Sequence, residues 1–89
     1  MFVSVLQPVS AGAVVSLWFG DGHPVSLEHA GRHYRVTDQP TRLEDEEPDL
    51  AYRLGLSGWR LQGTDDAGLS HMFDLRRNGD TWHLIRMYD

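Results

Sequence analysis

The chain contains no cysteine and no lysine. Without cysteine there is no disulfide framework, no thiolate zinc site and no cysteine nucleophile. Without lysine there is no Schiff-base chemistry and no phosphate-loop lysine. All eight basic residues are arginine, a bias that a GC-rich genome also produces. Long hydrophobic runs are missing too. Met1 to Leu6 is apolar but short, lacks a basic segment, and is followed by Pro8 and Gly12. It reads as neither a signal peptide nor a membrane span. A secreted domain of this size often needs disulfides, so the lack of cysteine predicts a cytoplasmic location. No internal repeat or low-complexity segment is present.

What is present suits one compact domain, residues 1–89. A chain of this length buries only about 60–65% of the surface its unfolded form exposes. Most large apolar side chains are therefore needed for the core. Aromatic residues make up 10% of the chain and include Trp18, Trp59 and Trp82, which argues against disorder. The net charge of −5 is local. Glu44, Asp45, Glu46, Glu47 and Asp49 form an acidic run, and the remaining eight acids match the eight arginines. A neutral body with one acidic loop gives no electrostatic reason to seek nucleic acid.

Short apolar runs broken by Gly, Pro, Asn and Asp carry the secondary-structure signal. They predict strands over Phe2–Leu6, Ala13–Phe19, Pro24–Ala30, His33–Thr37 and Trp59–Gln62. Val15, Leu17 and Phe19 should share one face, with Val25 and Leu27 on one face and Tyr34 and Val36 pointing inward. Pro48 and Gly55 bracket a segment that reads as a short helix over 48–54, with a strand over Leu50–Leu54 as the competing reading. Asn78-Gly79 predicts a hairpin with a two-residue type I′ loop. That register sets Leu75 opposite Trp82 and Phe73 opposite Leu84 on one buried face, with Asp74 beside His83. The expected fold is mainly β: a small bent sheet or partly open SH3-like barrel of about six short strands. A β-sandwich is the alternative.

No motif carries catalytic chemistry. His23, His29, His33, His71 and His83 lack the paired spacing of zinc ligands. The acidic run lacks the alternation and central glycine of a calcium loop. Ser70 stands about 13 Å along the strand from Asp74, too far for a triad. No metal and no cofactor is expected. Arginines interleave with aromatics, Arg35 beside Tyr34 and Arg60 beside Trp59, a pattern that stacks bases or makes ordinary cation–π pairs. The candidate partner-binding residues are therefore Glu44, Asp45, Glu46, Glu47 and Asp49, with Arg35, Trp59 and Arg60.

Several segments resemble a family of small actinobacterial domains, some of them encoded beside error-prone Y-family DNA polymerases. These are Gly22-His23-Pro24-Val25, Gly31-Arg32-His33-Tyr34-Arg35-Val36-Thr37-Asp38, Gly58-Trp59-Arg60-Leu61, Phe73-Asp74-Leu75 and Trp82–Asp89. The family's middle carries adjacent tryptophans, whereas 39–56 here is acidic and has none. The resemblance implies a bacterial cytoplasmic domain, accessory to DNA repair, and supplies no catalytic residue. Taken together, the sequence leads to a non-catalytic module that binds another protein. A nucleic-acid-associated accessory domain is the alternative, and a small enzyme ranks last.

Overall fold

The structure, a computed structural model, describes residues 7–8, 13–46 and 57–88. The strands are β1 (Gln7–Pro8), β2 (Val14–Gly20), β3 (His23–His29), β4 (Arg32–Val36), β5 (Thr41–Arg42), β6 (Gly58–Thr64), β7 (Ser70–Asn78) and β8 (Thr81–Tyr88), with one helix, α1 (Leu43–Glu46). All pairings are antiparallel, and β2, β3, β4, β6, β7 and β8 close on themselves through the β2–β8 pair. The result is a six-stranded barrel of the SH3-like kind, closed rather than partly open. The two-residue strands β1 and β5 lie alongside β8 and β6. The segments read as a strand over 2–6 and a helix over 48–54 lie outside the described residues.

Closure requires tight corners, and the sequence supplies them. Asp21 and Gly22 (φ 55° and 85°) join β2 to β3, and Ala30 and Gly31 (φ 54° and 76°) join β3 to β4. Two consecutive left-handed residues make the type I′ loop, whose twist matches that of the strands. The barrel is filled by Val15, Leu27, Tyr34, Trp59, Leu61, Phe73, Leu75 and Leu84, with Leu17, Val36 and Trp82 partly buried against them. The Tyr34 and Phe73 rings meet edge to face at 4.9 Å. Gly63 makes room for that pair, since a Cβ there would stand 2.9 Å from Phe73 and 3.0 Å from Tyr34.

Two register expectations need correction. The last hairpin pairs Asn78 with Thr81, Arg77 with Trp82 and Leu75 with Leu84. Its loop is thus Gly79-Asp80, and only Gly79 takes positive φ. Glycine opens this turn instead of closing it, the type II′ pattern. The slide is by two residues, so Phe73, Leu75 and Leu84 keep the buried face and Trp82 packs at its edge. A bulge between Asp74 and Leu75 then pairs Asp74 with Arg86 and leaves His83 opposite Arg76. A second bulge falls where Trp18 pairs with Ser26 but Phe19 with Pro24. Val25 is the extra residue, so Pro24 turns inward and Val25 is 42% exposed.

Between the two ends, the outer face of β6, β7 and β8 carries a buried ion cluster. Asp74 is fully buried, and its carboxylate accepts Arg60 Nε at 2.8 Å, Arg60 Nη2 at 3.0 Å and Arg86 Nε at 3.0 Å. The three residues form one cross-strand row. The cost of desolvating Asp74 offsets much of what these ion pairs contribute to stability.

Candidate binding cleft

The strand directions give the barrel two distinct ends. β3 and β6 both start at one end, beside Gly22 and Ser57, and finish at the other, beside Ala30 and Asp65. Each end holds a cleft.

The first cleft has a volume of about 180 Å³ and is lined by Phe19, Trp59 and Trp82 together with Arg42 and Arg77, over a floor that includes Gly58. The Phe19 and Trp82 rings stand 5.7 Å apart. Phe19, expected to share the inward face of Val15 and Leu17, is 46% exposed: it stands at the end of β2, beyond the core that holds those two residues. Trp59 belongs to the core, and the Arg42 guanidinium lies 4.6 Å above its ring. Arg77 Nε donates to the Gly79 carbonyl at 2.8 Å, anchored by the same turn that sets the hairpin register. Glu44 sits at the rim. Its Oε1 accepts the Gly58 amide at 3.1 Å, while Oε2 lies 3.6 Å from Arg42 Nη1, a long and half-exposed pair. Gly58 is required here: a Cβ would stand 1.8 Å from the Leu75 carbonyl oxygen.

The second cleft, about 430 Å³, lies between the Ala30-Gly31 corner and the 65–69 loop and is lined by Arg32, His33, Asp65 and Asp66. It is organised around Asp65. One carboxylate oxygen accepts the Ala67 and Leu69 amides, both at 2.9 Å, and the other accepts Arg32 Nη1 at 2.9 Å. The Leu69 amide above all, then Arg32 and Ala67, hold the Asp65 carboxyl below the usual carboxylate range against the opposing effect of desolvation. The same pairing raises Arg32. Burial lowers His29, and burial raises Tyr34.

The candidate partner-binding residues separate. Glu44 joins the first cleft and Asp45 is exposed beside it, while Glu46 ends α1; Glu47 and Asp49 lie outside the described residues. Trp59 is only 8% exposed, so it forms a wall of the cleft rather than a free stacking platform. Arg60, on the opposite face of β6, is engaged with Asp74. Arg35 is exposed on β4, opposite Ser26 and Thr64, in a row that begins at Trp18. The sequence reading leaves Arg42, Arg77, Phe19 and Trp82 out of the candidate site: the hairpin pairs Arg77 with Trp82, but in a register two residues from the expected one, and Phe19 and Arg42 arrive from distant strands. Among the described residues no group of three or more His, Asp or Glu could hold a metal ion, and no helix is long and apolar enough to cross a membrane. No protein-family model, characterised protein or solved structure matches this chain.

Proposed function

We propose that this domain is a non-catalytic protein-interaction module that takes a peptide segment of its partner in the cleft formed by Phe19, Trp59, Trp82, Arg42 and Arg77. The cleft carries this reading. Its volume of about 180 Å³ suits one inserted side chain rather than a whole small molecule, and in the larger cleft of about 430 Å³ the Asp65 carboxylate is already taken by Arg32 and two amides. Its aromatic and arginine lining is the composition that dominates binding energy at protein interfaces. One small cleft supports a weak, transient contact of micromolar order. The nucleic-acid alternative draws less support, since of the residues that would stack and neutralise, Trp59 is buried and Arg60 is engaged with Asp74.

Amide chemical-shift mapping with short peptides of acidic, basic and proline-rich composition tests the proposal. Saturable shifts at Phe19, Gly58 and the Trp82 indole are expected from at least one class. If no peptide moves them and short single-stranded DNA does, the proposal is wrong.

A further inference from the structure

We infer that the partner segment is acidic, with one apolar anchor residue, and that Glu44 is a built-in competitor for its carboxylates; this rests on the peptide-binding reading above. The cleft joins aromatic rings to a cationic rim. The Phe19 ring is half exposed and stands 5.7 Å from the tilted Trp82 ring, while Trp59 lies beneath Arg42. An aliphatic or aromatic side chain placed there would pack against the exposed Phe19 ring beside Trp82.

The rim selects the charge. Arg42 and Arg77 both line the cleft, and both are exposed. A guanidinium has five N–H donors, and the bond to Gly79 uses one of those on Arg77. The Arg42 Cζ lies 4.6 Å over the Trp59 ring, a contact that limits the freedom of its guanidinium fork, which can pair with a planar carboxylate. A basic segment would bring like charge to this rim, and a neutral one would leave both arginines without gain.

Glu44 is the only acid close to the rim arginines among the contacts described. Its two oxygens have different duties. Oε1 caps the Gly58 amide, a structural bond, whereas Oε2 makes only the long contact with Arg42. A partner carboxylate can take the place of Oε2 without disturbing Oε1. Glu44→Gln therefore keeps the acceptor for Gly58 and removes the competing charge. It should tighten an acidic ligand, a result that a merely structural role for Glu44 would not produce.

The test is a titration of the whole chain with a blocked peptide of alternating Asp and Glu around one central Trp, followed by amide shifts and tryptophan fluorescence. Three control peptides are used: Asp and Glu replaced by Asn and Gln, the acids replaced by Arg, and the central Trp replaced by Ala. The acidic peptide should bind saturably and weaken as salt rises through about 0.15 M. Arg42→Gln and Arg77→Ala should each weaken it roughly fivefold, and Glu44→Gln should tighten it roughly twofold to fivefold. Arg77 is exposed near the end of β7, so its variant keeps the inference testable if replacing Arg42 disturbs Trp59. Equal binding of the amide peptide, or preference for the arginine peptide, overturns the inference while leaving the peptide-binding module standing. If no peptide reaches the cleft, both fail.

Discussion

The two ends of the barrel both place arginine beside a carboxylate, yet they use it differently. At the Asp65 end, the charge is enclosed in a local circuit. Asp65 accepts three hydrogen bonds, its side chain is 3% exposed, and Arg32 closes the ring at 2.9 Å. At the Phe19 end, Arg42 meets Glu44 only at 3.6 Å and otherwise lies on an indole. A satisfied carboxylate holds a loop in shape. A loosely paired arginine over an aromatic floor keeps binding capacity for a partner. The difference is what the proposed reading rests on: one end closes its charges on itself, and the other is the proposed recognition end.

The most damaging change to the recognition end is Gly58→Ala. The added Cβ would overlap the Leu75 carbonyl oxygen, so β6 and β7 must separate where the cleft floor begins. The expected loss exceeds about 4 kcal/mol, and thermal unfolding followed by circular dichroism should find little folded protein. A variant that melts within a few degrees of the native chain would mean that the barrel opens here without cost.

The Asp65 end can be isolated by pH. The Asp65 carboxyl is lowered in the fold, so its contribution is complete above the ordinary aspartate value of about 3.9 and is lost as pH falls through the lowered folded value. His29, at the same end, is lowered by burial, so its contribution is complete above about 6.5 and declines as pH falls toward its own folded value. Urea melts across this range should show two separate declines. Asp65→Asn should remove the lower decline and His29→Gln the upper one. Unchanged profiles in both variants would deny this end its stabilising role.

Phe19→Ala reverses that separation. Its ring is half exposed, so the stability cost is about 1 kcal/mol, while binding at the cleft should fall at least tenfold. A large stability loss would assign Phe19 to the core instead. The smallest effect is Ala30→Gly. Ala30 holds φ 54°, a left-handed conformation costing an L-residue roughly 1–2 kcal/mol. Glycine removes that strain but adds unfolded-state entropy, leaving a gain of about 0.5 kcal/mol in thermal stability.

Which parts of this molecule can be read from its sequence follows from the range of the interactions involved. The corner at Asp21-Gly22, the turn at Gly31, and the inward faces of Leu27, Tyr34, Phe73, Leu75 and Leu84 follow from turn chemistry and alternation within a few residues, whereas Ala30, expected to end a strand, is the first left-handed residue of its corner. Val25 was misplaced because one bulged residue reverses the alternation on β3, and nothing local announces a bulge. The hairpin slid by two because Asn78-Gly79 is compatible with glycine at either central position, and a shift of two leaves every side chain on its face. Leu43 is fully buried against Ile85 although it sits within a polar stretch. The cleft was the least legible feature. Phe19, Arg42, Trp59, Arg77 and Trp82 come from five strands; strand pairing joins Arg42 to Trp59 and Arg77 to Trp82, and the folded barrel brings these pairs and Phe19 to one cleft. Asp65 carried a readable signal, since an Asp with amides two and four residues ahead is a ready turn-former.

The assignment of recognition to the Phe19 end is tested most directly by one amide chemical-shift titration with the acidic, Trp-centred peptide. The predicted shifts cluster at Phe19, Gly22, Gly58, Arg77 and Trp82, saturate together, and leave Ala30–His33 and Asp65–Ala67 in place. Shifts concentrated at Arg32, His33 and Asp65 instead would contradict the account, because they would place recognition at the end whose charges are already satisfied.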